Sequence, residues 1–342
     1  MEENNSDSRH PDSHVPTVSE YVFLENLSIV GIFYVVLSVL GVFFNSSVLL
    51  VLFKSTRMRH TPKYWLVLMV SITLWFQAVV TNPQMVVIWF GATTRAACKM
   101  WVAAEAYNTY ACVGIACWCS LLLSFDYLFC VASHRYRQIY RDSVMMCLLF
   151  FCIFSLIVTL AVLSFVFGSN KTPMDYIKCH FGFTNEIVVF VLLVYTVYLP
   201  LIGSVILNLL GVVFLHRGFE WNLNVSLNVQ GYSSNKSFPP LDHSLLLIIL
   251  ILCYVPATVM HHLVLNGVVF SKENKALVHL SATTTVLRDN AGCMVPLVWY
   301  CFCDMRDALK QLSCCKRKAS PSDSAFQESS EFRLYDCYPY CA

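Results

Sequence analysis

The sequence predicts an all-α membrane protein, a seven-transmembrane helix bundle followed by a short amphipathic helix. Three observations carry that prediction. Hydrophobic residues make up 57% of the chain and charged residues only 13%, against roughly 25% charged in an ordinary soluble domain. A soluble fold of 342 residues has too few charges here to cover its surface. Seven apolar stretches recur along the chain, each long enough to supply the roughly 20 residues that cross the hydrocarbon layer. None shows sustained period-2 alternation, which argues against a β-barrel. Lysine and arginine, finally, are divided unequally between alternate connections.

Residues 1–27 form a polar, acidic extracellular tail with no apolar signal-peptide core, so the first helix is expected to act as its own insertion signal. The bundle spans residues 28–303. Its first segment, Ile29–Phe53, has no charged residue, and the others run at about 64–90, 100–132, 144–168, 187–215, 244–270 and 277–303. With the amino terminus outside, the inner connections and tail hold fifteen lysines and arginines and the outer ones seven, Arg288 lying within the seventh segment. Cytoplasmic loops carry that excess. Glycosylation sequons at Asn4, Asn26 and Asn170 fall on the expected outer side. The +2 formal charge lacks the basic footprint of a nucleic-acid binder, and no repeat of the inverted transporter kind is present.

After the bundle, residues 304–315 begin with the amphipathic stretch DMRDALKQL and end in Cys314 and Cys315, beside Lys316, Arg317 and Lys318. An interfacial helix ending in cysteines next to a basic cluster suits palmitoylation on the inner leaflet; a soluble tail with unmodified thiols is the alternative. Residues 316–342 read as a disordered cytoplasmic tail, and SPSDSAFQESSE within it offers serines for phosphorylation. Most of the 16 cysteines lie inside apolar segments, where cysteine behaves as a small hydrophobe. Cys98 and Cys179 sit at outer ends instead. That compartment is oxidising, so the two are expected to form one disulfide over the mouth of the bundle, with two free thiols as the alternative.

Several short motifs fall in a telling order. GVFFNSSVLLV carries Asn45 in the first segment; Thr61–Pro62 opens the second after a basic loop; Trp118 precedes Asp126 in the third. YLPLIG places Pro200 in the fifth, CYVP places Pro256 in the sixth, and VPLVWYCF ends the seventh. Over about residues 28–315 the chain resembles the rhodopsin-like (class A) G-protein-coupled receptors. The resemblance implies a plasma-membrane, multi-pass receptor that binds an extracellular ligand. It further implies signal transduction to a heterotrimeric G protein, or to arrestin, through movement of the sixth segment about Pro256.

The departures bear on mechanism. The family's aspartate-arginine-tyrosine reads here as Asp126–Tyr127–Leu128, followed by the basic Arg135 and Arg137. Counting from the prolines, Leu74 and Val295 replace the polar residues that hold sodium in the family, and neither has an oxygen ligand to offer. Tyr127 has one hydroxyl and no charge, so it cannot form an arginine-like ionic lock. Coupling is therefore expected to be weak or constitutive, or absent, as in a scavenger or decoy receptor.

Charge inside a membrane costs several kcal/mol unless paired, and so points to function. Glu105 in the third segment and Arg288 and Asp289 in the seventh lie in the outer half, the region that lines the ligand cavity in the resembled family. Depending on the landmark counted from, either Thr109 or Glu105 takes the position of the amine receptors' aspartate; both lie on one helix face. Tyr254 replaces the tryptophan of the sixth segment, and His261 lies at the same cavity mouth. These six residues are the expected ligand contacts, suited to a polar or zwitterionic ligand. The alternative is a Glu105–Arg288 bridge that only staples two helices. Asp289 stands where opsins carry their retinal-binding lysine, so no retinal is expected. A metal on His261, His262 and His279 is disfavoured because adjacent histidines cannot share a helix face. No cofactor is implied and no nucleophile–base pair of an enzyme is visible. A transporter remains a less favoured alternative, having no continuous polar path.

Overall fold

The structure is a computed structural model that describes residues 27–59, 63–89, 100, 103–132, 141–169, 186–226, 240–265 and 275–314. Among these residues there is no strand, and six helices are long and apolar enough to cross a membrane. Helix α1 is Leu27–Lys54, followed by the single turn Thr56–Arg59. Helix α2 runs through Lys63–Phe76, a π-helical turn Gln77–Thr81 and Asn82–Trp89. Helix α3 spans Ala103–Cys130 as an apolar core, with a π-helical turn at Tyr107–Cys112, and continues to Ala132. Helix α4 is Arg141–Ser169; α5 comprises Glu186–Leu193, the π-helical turn Val194–Tyr198 and Leu199–Ser226. Helices α6, Pro240–Leu265, and α7, Lys275–Trp299, precede the short α8, Cys303–Cys314.

Two of the three π-helical turns have a cause in the sequence. A proline inside a helix has no N–H to give and its ring crowds the carbonyl four residues back. Pro83 faces that of Val79, inside Gln77–Thr81, and Pro200 faces that of Thr196, inside Val194–Tyr198. Admitting one extra residue widens the turn and relieves the clash without breaking the helix. Pro256 and Pro296 are carried within regular helix. The turn at Tyr107–Cys112 has no proline after it; its extra residue rotates the outer part of α3 against the inner part.

Solvent exposure identifies the axis of the bundle. In α3, 78% of the spanning window is buried, against 28% in α4. The helices turn large apolar side chains outward, including Phe43 at 67%, Phe150 and Phe154 at 63% and Ile187 at 75%. Such a belt would aggregate in water and is the surface of a protein dissolved in lipid. These observations make the chain a multi-pass membrane protein.

Inside, α3 and α5 pack closely because glycines remove the Cβ where they cross. A Cβ on Gly203 would lie 2.8 Å from Leu121 Cδ1, and one on Gly211 would overlap the Tyr127 ring. Hydrogen bonds tie the rest. Asn208 Nδ2 of α5 donates to Ser124 Oγ of α3 at 2.7 Å, and Tyr195 OH donates to Ser155 Oγ of α4 at 2.9 Å. Asn45 Nδ2 of α1 donates to its own helix at Gly41 O and across to Gly292 O of α7, both at 2.8 Å. The hydroxyls of Ser47 and Tyr300 meet across the same pair of helices. Helix α8 buries Met305 and Ala308 and leaves Arg306, Asp307 and Lys310 exposed. Met305 and Ala308 are three apart and therefore share one face.

Candidate functional site

Two acidic residues of the bundle interior, Glu105 and Asp289, converge on Arg288. It sits on α7, eight residues before Pro296, and its side chain reaches across to α3. Nη1 donates to Glu105 Oε1 at 2.9 Å and to Thr109 Oγ1 at 2.7 Å. Nη2 donates to Glu105 Oε2 at 3.1 Å and to Asp289 Oδ2 at 3.2 Å, and Nε donates to Asp289 Oδ1 at 2.8 Å. A guanidinium has five N–H donors in a fixed fork. All five are used.

The carboxylates are held unequally. Asp289 is fully buried and takes a further hydrogen bond from Tyr34 OH of α1 at 2.7 Å. Glu105 is bound bidentately, which fixes its plane, and also accepts from Thr109 Oγ1 at 3.2 Å. Its side chain is 18% exposed, against 7% for Arg288 and 0% for Asp289. Glu105 is the member of the cluster that faces out of it. Two carboxyl groups share one guanidinium, and three helices meet through them.

The sequence expects Glu105 and Thr109 on one face of α3. They lie one turn apart, and Arg288 Nη1 bonds to each. The π-helical turn begins at Tyr107, between them, and adjusts the face that α3 presents to α7. The bridge named as an alternative in the sequence is thus a feature of the fold, and Glu105, Thr109, Arg288 and Asp289 form one contiguous group.

The two remaining expected contacts stand apart from this group. His261 Nε2 of α6 is 3.0 Å from Tyr110 OH of α3, with the rings edge to face. The neighbouring His262 turns toward α5, stacking on Tyr198 at 5.4 Å and meeting Phe190 edge to face. Adjacent helical residues point about 100° apart, so the pair braces α6 against two different helices. Tyr254 is 1% exposed in the core, and its hydroxyl has no hydrogen-bond partner.

Below the cluster a polar seam joins the π-helical turns of α2 and α3. Thr81 Oγ1 donates to Asn108 Oδ1 at 2.7 Å, and Cys112 Sγ approaches Gln77 Oε1 at 3.4 Å. Asn108 Nδ2 and Asn82 Oδ1 are buried without a partner. Toward the C-terminal end of α3, Asp126 and Tyr127 are 3% and 6% exposed. The Tyr127 ring lies flat in the space left by Gly211, between α3 and α5.

Three contributors escape a reading of the sequence. Tyr34 lies in the apolar run of α1, and nothing local marks it as a carboxylate's partner. Tyr110 is likewise an aromatic that nothing local marks as a partner of His261. The seam residues Gln77, Thr81 and Asn108 carry a weak signal: they are amides and a hydroxyl at helical spacing inside segments otherwise apolar. Cys98, Cys179, Asn4, Asn26, Asn170, Arg135, Arg137 and Cys315 lie outside the described residues, and Cys314 is the last residue of α8. No family model matches the chain, and no characterised protein is significantly similar to it.

Proposed function

We propose that this protein is an atypical rhodopsin-like heptahelical receptor of the plasma membrane whose ligand acts at the Glu105–Arg288–Asp289 cluster. In this reading α7 is the seventh span, α8 lies along the inner leaflet and the amino terminus is extracellular. The observation that carries it is the cluster itself. A buried ion network tied to three helices is costly to assemble in lipid, and Glu105 is its most exposed member.

The bonding of the cluster narrows the ligand chemistry. Every donor of Arg288 is engaged, so an anion gains a place only by displacing a carboxylate or the Thr109 hydroxyl. Glu105 keeps spare acceptor capacity, and the cluster has one more carboxyl group than guanidinium. A cation, or the cationic end of a zwitterion, fits both conditions. By drawing Glu105 away from Arg288, such a ligand would loosen α3 from α7 and bias a two-state equilibrium of the bundle.

Tyr127 favours a second reading, a receptor that binds its ligand without activating G protein. Its ring is packed against Gly211 and has no charge to offer a partner. Both readings meet in one experiment. Cells expressing the receptor are challenged with panels of small amines and amino acids, with G-protein activation and arrestin recruitment as readouts. The proposal expects a response, or ligand uptake without one, that Glu105→Gln removes at equal surface expression. Binding that survives Glu105→Gln and Arg288→Gln unchanged would displace the cluster as the site.

A further inference from the structure

Cys119 of α3 and Cys152 of α4 place their sulfurs 3.5 Å apart, each residue 1% exposed. This is the approach of two unoxidised thiols across the α3–α4 contact. A crevice lined by Gly114, Ile115, Trp118, Cys152, Ser155 and Thr159 runs beside the pair between the two helices. The outer face of α4 next to it, Phe151 and Phe154, is exposed at 44% and 63%. The other buried cysteines of α3, Cys112 and Cys117, have no such sulfur neighbour among the described residues, and Cys112 Sγ is directed at Gln77.

We infer that Cys119 and Cys152 are a dithiol modification site that an organic hydroperoxide of the membrane converts to an α3–α4 disulfide. One thiolate attacks the distal oxygen of ROOH, breaking the O–O bond, and with one proton taken up releases ROH and leaves a sulfenic acid. The second thiol attacks that sulfur, the S–S bond forms and water departs. The sum is two thiols and ROOH giving one disulfide, ROH and H2O: the sulfurs lose two electrons, the peroxide gains them, and both thiol protons end in the products. The sulfurs must close by roughly 1.5 Å to reach a bond length near 2.04 Å. The crevice beside Cys152 leaves room for that movement. The product would fasten the least buried helix, α4, to the axis of the bundle.

The test uses the full chain in native membranes treated with cumene hydroperoxide. Free thiols are then alkylated in denaturant, the protein is digested without reduction, and fragment ions locate every disulfide. Cys147 on the exposed face of α4 serves as the internal reporter that oxidant has entered the lipid. The expected result is a Cys119–Cys152 link that rises with dose, is cleaved by reductant and is absent from Cys119→Ser. Cys112, Cys117 and Cys253 should stay alkylatable in the same digest. Because Cys119→Ser keeps a small side chain, a thermal melt of that variant within a few degrees of wild type shows that the link was lost without the fold. Oxidation of Cys147 with Cys119 and Cys152 still fully alkylatable would overturn the proposal. So would their conversion to sulfinic acid without a link, or a link that joins Cys152 to Cys117.

Discussion

Removing the guanidinium at residue 288 tests the cluster most directly. Arg288→Met keeps an unbranched apolar chain but leaves Asp289, which is fully buried, and Glu105 facing each other without a cation. Breaking a buried pair by deleting one partner costs about 3–5 kcal/mol, because the orphaned charge stays buried. With roughly 2–4 °C lost per kcal/mol in a chain of this size class, the melting temperature should fall on the order of 10 °C. The buried thiols of Cys112, Cys117, Cys253 and Cys293 provide the assay: a thiol-reactive fluorophore added to detergent-purified protein reports their exposure on heating. The second half of the prediction is the sharper one. Arg288→Met/Asp289→Asn should be more stable than Arg288→Met alone. The added change removes the costliest orphan while the amide can still accept from Tyr34 OH. Replacing a whole buried ion group by neutral residues is often nearly neutral, so adding Glu105→Gln should recover most of the remainder. Neighbouring sites couple in this way and distant ones do not. A single variant that melts within about 2 °C of wild type, or a double variant no better than the single, would refute the burial and bonding on which the argument rests.

Other outcomes follow from single contacts. Gly211→Val should force the Tyr127 ring out of its place between α3 and α5, costing about 1–3 kcal/mol by overpacking; Gly211→Val/Tyr127→Ala should melt higher than Gly211→Val alone. Asn45→Leu removes the donor that bridges α1 to Gly292 O of α7 and should cost about 1–3 kcal/mol, read from the same melts. Tyr127→Arg restores a charge at the inner end of α3. If the G-protein surface is otherwise intact, basal activation at matched surface expression should rise above wild type; equal, silent traces favour the non-signalling reading. Tyr110→Phe removes the hydroxyl facing His261 and should shift ligand potency by less than about 1.5 kcal/mol, or roughly tenfold, if His261 only braces the helices.

How much of this was legible in the sequence depends on the range of the interaction that decides it. Six of the seven expected spans and the lipid-facing surface follow from composition, because the solvent acts on every residue alike; Phe150 and Phe154 need no partner to explain them. The membership of the cluster was legible too, since Glu105, Arg288 and Asp289 are exceptions in apolar runs and each must find a counter-charge. What could not be read was who else would come. Tyr34 reaches Asp289 from 255 residues away, and nothing in the composition of α1 prefers that tyrosine to a phenylalanine.

The π-helical turns mark the boundary between the two kinds of information. Pro83 and Pro200 account for theirs, because the clash with a carbonyl four residues back is local chemistry, while Pro256 and Pro296 are carried without one. The turn at Tyr107–Cys112 has no local cause, yet it lies where α3 must bring Glu105 and Thr109 to the same guanidinium while its inner half keeps Trp118 and Tyr127 in the core. A regular helix fixes the angle between those two sets of residues; one inserted residue changes it by about 100°. The distortion is therefore explained by what it aligns. It belongs to the same device as the ion cluster, which the outer half of α3 could not otherwise join.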